Sequence, residues 1–247
     1  MIVIKQTIKA YTGSEFSFSS TSGSTKTDFA NGVYTVSYTG NKSTATNAGE
    51  QIVMTLTPDS NHQWGSGSSV RFGRTYTFTV LRAGVAVPTV KVDTSSGAVI
   101  SAGGNQDVTY DGNAHGFYIS STANLQTPVY SNGSTLTNAG TTTLTLTPDS
   151  NHCWDNSGET DGKSYTLTVT RAHVTVPTAY MYYGNTNAEL SVEAGESKSR
   201  QYENAAYTFS SSNSAKTAFA NNAAYTVSYA GSVSSVTHLA RKLLTPC

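Results

Sequence analysis

The chain has 247 residues, 15 basic and 15 acidic, and no net charge, so no basic stripe exists to neutralise phosphates and nucleic acid is not an expected partner. Charged residues make up only 12% of it, and Ser, Thr, Gly and Tyr fill the gap, so its polar surface is hydroxyl and amide rather than ion pairs. No apolar run approaches the ~18 residues of a membrane span, the apolar stretch at Met1–Ile4 is too short for a signal peptide, and Cys153 with the terminal Cys247 makes no disulfide framework.

In chain order, the first motif is a tyrosine-led turn, Tyr11-Thr12-Gly13. A loop or single short turn follows at Lys26 to Asn31, and no amphipathic helix is expected anywhere. In Tyr34-Thr35-Val36-Ser37-Tyr38 the rings and the valine share one face and the hydroxyls the other, which predicts a half-wet strand. Asn47-Ala48-Gly49 is a turn, since Asn and Gly tolerate positive φ. Ile52, Met54 and Leu56 form the next dry face, which Pro58-Asp59 ends. After Trp64 comes a strand with Tyr76, Phe78 and Val80 on one face.

The pattern then recurs. Residues 46–62, TNAGEQIVMTLTPDSNH, return at 137–152 as TNAGTTTLTLTPDSNH; 75–90, TYTFTVLRAGVAVPTV, return at 164–179 as SYTLTVTRAHVTVPTA. Residues 16–40 return a third way at 207–231, where Tyr225-Thr226-Val227-Ser228-Tyr229 repeats the first strand. Gly103-Gly104-Asn105 breaks the start of the second copy, Tyr110-Asp111-Gly112 and Tyr202-Glu203-Asn204 repeat the opening turn, and Leu144, Leu146, Tyr165, Leu167 and Val169 repeat the dry faces. A period of about 90 residues suits one sandwich domain and is too long for a solenoid unit. One wet and one dry face per strand predicts antiparallel sheets packed on each other.

The reading is therefore all-β: tandem immunoglobulin-like β-sandwich modules at 1–83, 84–172 and 173–247. The first is shortened at its start. The third departs from the pattern after Thr237, where His238-Leu239-Ala240-Arg241 stands in place of Asn-Ala-Gly. That departure reads as a gene fragment or a change of frame, with a divergent terminal cap as the alternative.

Candidate chemistry is sparse. Asp59 and His62 recur as Asp149 and His152, but two ligands are too few for zinc, and the commoner role is an Asp that caps a turn beside a His that covers the tryptophan. The stretch Asp155 to Gly162 is rich in oxygen donors of the calcium type, yet its counterpart from Gly65 to Arg71 carries no carboxylate. No Gly-x-Ser-x-Gly and no phosphate loop is present. No catalytic residue, metal site or cofactor is assigned. Trp64, Trp154, Tyr180, Tyr182 and Tyr183 are the ligand-facing candidates, each with a core role as the alternative; for the tryptophans the core role is the commoner.

Tyr110, Asp111, Gly112, Thr137 to Gly140, Trp154, Tyr165 to Thr170 and Val174 to Pro177 together resemble the bacterial immunoglobulin-like repeats of large surface and adhesin-type proteins, also found in some phage structural proteins. The resemblance implies a non-enzymatic spacer or stalk. Its modules are joined by short, stiff Val-x-Val-Pro-Thr linkers, and its partners are the neighbouring modules. It implies an extracellular or cell-surface setting, or a virion. The alternatives are an adhesion module that grips a host glycan or surface protein, and a virion decoration or tail protein.

Overall fold

A computed structural model describes residues 6–22, 25–65, 71–184, 188–198, 206–221, 224–229 and 235–236. The described residues contain strands, turns and one short 3-10 turn at Thr39–Asn41, and no α-helix. The chain is all-β, as its period-two alternation predicts. Tertiary contacts divide it after Arg171 into two units, Met1–Arg171 and Ala172–Cys247.

The first unit holds two of the sequence repeats. In the first repeat, β1 (Gln6–Ala10), β3 (Tyr34–Tyr38), β5 (Gln51–Pro58) and β6 (Arg74–Leu81) form a sheet in the order β1-β6-β5-β3. A two-stranded ribbon, β2 (Phe16–Ser17) with β4 (Thr44–Ala45), lies apart from it in the pairing. Ile52, Phe78, Val80 and Ala45 are buried in one cluster, against which Tyr11, Phe16, Phe18 and Tyr38 pack.

The second repeat is larger. A linker strand, β7 (Ala83–Val85), precedes it; β8 (Val90–Val92), β9 (Val99–Ile100), β11 (His115–Ile119) and β13 (Thr135–Leu136) form one sheet, ordered β13-β11-β8-β9. The other sheet, ordered β10-β16-β14-β12, contains β10 (Asn105–Thr109), β12 (Val129–Tyr130), β14 (Gly140–Leu146) and β16 (Lys163–Thr170). β15 (His152–Trp154) lies between β14 and β16 in the chain. Val90, Val92 and Ile100 from the first sheet meet Leu144, Leu146, Tyr165 and Leu167 from the second in one buried cluster that includes Trp154. Burying each of these side chains stabilises the fold by roughly 1.5–3 kcal/mol.

The alternation places residues as expected along β5, β14 and β16, whose dry faces are buried. On the wet faces, hydroxyls pair across strands: Thr55 with Thr75 at 3.2 Å, Thr141 with Thr168 at 3.3 Å and Thr143 with Thr166 at 3.4 Å. These cross-strand ladders occupy the surface that charges cover in an average domain. At one core position the repeats differ: Ile52 is replaced by Thr142, fully buried, whose hydroxyl donates to the Gly133 carbonyl at 2.8 Å.

Two expectations need correction. The sheets are not wholly antiparallel: β1 runs parallel to β6, and β10 parallel to β16. In each repeat the chain visits other strands before returning, which supplies the long crossover a parallel pair needs. Tyr225–Tyr229 also forms no strand, although it repeats β3 almost residue for residue. β3 stands on β5, and the alternating sequence that makes β5 does not recur after Tyr229.

The second unit contains β17 (Ala179–Tyr183), β18 (Ala188–Val192), β19 (Tyr207–Ser210) and β20 (Ser235–Val236), ordered β18-β17-β19-β20. By sequence these match β8, β9, β11 and β13, and their order matches too. The departure after Thr237 and the terminal Cys247 lie outside the described residues.

Candidate functional site

Of the five ligand-facing candidates, Trp64 and Trp154 belong to the first unit and Tyr180, Tyr182 and Tyr183 to the second. Trp154 is 1% exposed, in the core of the second repeat, with its indole N–H donating to the Asp161 carbonyl at 2.8 Å. The Lys163 ammonium sits 5.7 Å from its ring centroid. The loop after it, which holds the calcium-type oxygens, folds back on this ring: Gly158 N–H donates to the Trp154 carbonyl and Trp154 N–H to the Glu159 carbonyl. Trp64 is part-buried, donates to the Phe72 carbonyl at 2.9 Å and lies 6.2 Å from the Tyr34 ring. In the second unit Tyr182 is 1% exposed, while Tyr180 and Tyr183 are part-buried, and Tyr183 stacks on Tyr207 at 5.2 Å. Neither Trp154 nor Tyr182 presents a ring face to solvent.

What the structure does bring together is a joint between the first two repeats. It grows from the recurrent Asp-Ser-Asn-His loop. The Asp149 carboxylate accepts from Asn151 N–H at 2.8 Å and from the His152 ring Nδ1 at 2.6 Å, which fixes the loop as a tight turn. Burial pushes the Asp149 carboxyl up, but the His152 and Asn151 bonds outweigh it and hold it below its ordinary value. The Asn151 side chain then projects at the first repeat. Its oxygen accepts from Ala48 N–H at 2.9 Å, and its amide donates to the Asn47 oxygen at 3.2 Å. The His152 ring meets Tyr11 edge-on, 5.4 Å between centroids and 84° between planes.

The first repeat prepares its side with equal care. Glu50 accepts from Thr46 and Asn47 N–H at 2.7 and 2.9 Å and pairs with Lys42 at 2.9 Å, which lowers its carboxyl to about 2. Gly49 takes φ +85°, a conformation a Cβ would strain, and closes the turn through its N–H to the Val80 carbonyl. The linker completes the joint. β7 pairs parallel with β15, Ala83 opposite His152 and Val85 opposite Trp154. A Cβ on Gly84 would overlap the Asp155 carboxylate. Of the expected stiff linker Val85 to Thr89, only Val85 lies in this strand, and the stretch Ala86 to Thr89 pairs with none.

A second polar cluster was not foreseen from the sequence. His115 lies within hydrogen-bond distance of Asp93 at 2.8 Å through Nδ1 and of Asp111 at 3.0 Å through Nε2, both of which its imidazolium form donates to, and Asp93 also accepts from Gly116 N–H. The Asp93 bond, opposed by burial and aided by Asp111, raises the His115 pKa. Asn113, through its side chain and its N–H, and His115 hold Asp111 at about 2. Both ring nitrogens are engaged, so the cluster pins the start of β11 to the end of β8 and leaves no nitrogen to exchange a proton with a ligand. Among the described residues no group of three or more His, Cys, Asp or Glu is placed to hold a metal ion, and no helix is long and apolar enough to cross a membrane. Cys153 is an unpaired, part-buried thiol 3.7 Å from the Ala83 carbonyl.

No protein-family model, no curated protein and no solved structure is similar enough to this chain to place it.

Proposed function

We propose that the chain is a structural spacer, a run of immunoglobulin-like β-sandwich modules that act in series and carry no catalytic site. The joint between the first two repeats carries this reading. A linker strand that pairs with the next repeat, a turn that bonds its Asn151 and a ring contact from Tyr11 restrain the junction in three directions. Free linkers have none of these restraints, and a stalk requires them. The repeat length, the facing sheets that share the Trp154 cluster and the hydroxyl-rich wet faces support the immunoglobulin-like assignment. The setting proposed is a cell surface, with a virion as the alternative, on the strength of the sequence resemblance alone.

A spacer must bear tension. Single-molecule stretching of the full chain is expected to give a discrete unfolding event for the second repeat. Its contour gain should be about 300 Å, from the ~3.4 Å that each extended residue spans. Smooth extension at low force, with no such event, sinks the reading.

A further inference from the structure

We infer that the first repeat is a strand acceptor: the edge of β2 away from β4 seats, antiparallel, an extended segment of the Val-Pro-Thr-Val-x-Val type carried by a separate polypeptide. The seat is the run Phe16 to Ser19, with the part-exposed Tyr76 ring beside Phe18. Its occupant takes the place that β8 holds in the second repeat.

The pairing registers show which strands correspond. β2 meets β4 with Phe16 opposite Ala45 and Ser17 opposite Thr44, as β11 meets β13 with His115 opposite Leu136 and Gly116 opposite Thr135. In the second repeat β8 takes the other edge of β11, with Val92 opposite Phe117 and Val90 opposite Ile119. In the second unit the counterpart of β11 is β19, and β17 takes its edge in the same register, Met181 opposite Phe209 and Tyr180 opposite Ser210. β8 and β17 each follow directly on Val-x-Val-Pro-Thr, at 85–89 and 174–178. Phe18, one residue past β2, matches Phe117 and Phe209, and among the described residues β2 pairs with β4 alone.

The dry face carries the same difference. In the second repeat Val90, Val92 and Ile100 share a buried cluster with Leu144, Leu146, Trp154 and Tyr165. In the first repeat the buried cluster is Ala45, Ile52, Phe78 and Val80, and Tyr76, the counterpart of Tyr165, is 40% exposed where Tyr165 is 2% exposed. Phe18 meets the Tyr76 ring edge-on, 6.4 Å between centroids. The edge is also unguarded: Phe16 to Ser20 contains no charge and no proline, the residues that keep open edges from pairing. The loop that follows does not block it. Ser20 N–H donates to the Thr27 carbonyl at 2.8 Å, and in the second unit Ser211 N–H donates to the Thr217 carbonyl at 2.8 Å with β17 in place beside it. Main-chain bonds along such an edge give affinity, and alternate apolar side chains that reach the dry face give selectivity.

The probe is a labelled synthetic peptide with the sequence of residues 86–100 of this chain, which carries β8 and β9, added to the full chain. Fluorescence anisotropy should show saturable binding, and hydrogen exchange should show protection gained by the amides between Phe16 and Ser19. A peptide carrying Val90→Asp and Val92→Asp should bind at least about tenfold more weakly, because both charges would enter the dry face. The substitutions sit in the peptide, so the fold of the chain is not at risk. Absence of binding overturns the inference, and so does equal binding of the two peptides. Protection gained only in the second repeat also overturns it, since the peptide is then exchanging with β8 rather than adding to β2. The inference rests on the strand correspondence and not on the spacer reading: a chain that unfolds discretely under tension yet ignores the peptide sinks the first and leaves the second.

Discussion

The loops Asp59–Trp64 and Asp149–Trp154 have nearly the same sequence and the same internal hydrogen bonds, yet one lies open and the other is covered. The comparison separates what a turn encodes for itself from what a neighbour adds. The carboxylate–imidazole and carboxylate–amide bonds need only residues three and two apart, so both loops form them. Burial of the histidine, pairing of the strand and use of the asparagine amide come from the first repeat and its linker, which among the described residues engage only the second loop. The tryptophans follow suit: Trp154 sits in a two-sheet core that β8 and β9 help to close, and among the described residues the first repeat has no counterpart to those strands.

Substitutions at matched positions break or sharpen the comparison. Trp154→Ala should cost ~3–5 kcal/mol, because it opens a cavity in a closed core. Trp64→Ala should cost only ~1–2 kcal/mol, because its ring is partly wet already. Equal losses in chemical denaturation would mean that the two cores are equivalent. Next comes Gly84→Val, which drives a side chain into Asp155 and should cost ~1–3 kcal/mol. Asp155→Gly in the same chain should recover most of that loss, and a double-mutant cycle without coupling would break the steric account of the linker. Smaller still is Asn151→Ala, with ~1–2 kcal/mol lost along with the protection of the Ala48 amide in hydrogen exchange. The matched Asn61→Ala should change the stability of the isolated chain by less than ~0.5 kcal/mol.

The dry faces could be read from the sequence because burial in a sheet alternates with every residue: Ile52, Met54, Leu144, Leu146, Leu167 and Val169 are buried as their spacing predicts. The strand at 225–229 misleads for a physical reason. Alternation measures fitness for a sheet, but a strand exists only where the pairing is made: Tyr34–Tyr38 pairs with β5, whereas Tyr225–Tyr229 forms no strand. The joint could not be read from periodicity, since Asn151 and Tyr11 are single residues in turns 140 positions apart (11 to 151). One signal did point to it. The Asn-Ala-Gly and Asp-Ser-Asn-His segments recur more faithfully than many core positions, and such identity in polar turns indicates a contact that tolerates little change. The His115 cluster gave no signal at all, because Phe16 and Tyr207 occupy its place in the other repeats.

That last difference makes a pH experiment specific to one repeat. The folded pKa of His115 is raised above 6.5, chiefly by the Asp93 bond. A raised folded value means that the imidazolium's contribution is fully present below the unfolded pKa, near 6.5, and is lost as pH climbs through the folded one. Thermal unfolding of the second repeat should therefore soften as pH rises above 6.5 and through the raised folded value. His115→Gln should flatten that response while retaining a donor for one carboxylate. The first repeat, with Phe16 at this place, should show no counterpart from this position. The carboxyls Asp59 and Asp149 act at the other end. Their lowered values contribute stability above 3.8 that disappears as pH falls, and because both loops hold their carboxylates by the same bonds, this acid limb should appear in both repeats. A neutral-to-alkaline limb that persists in His115→Gln would assign the response to another group and remove the cluster from the account of why the second repeat differs from the first.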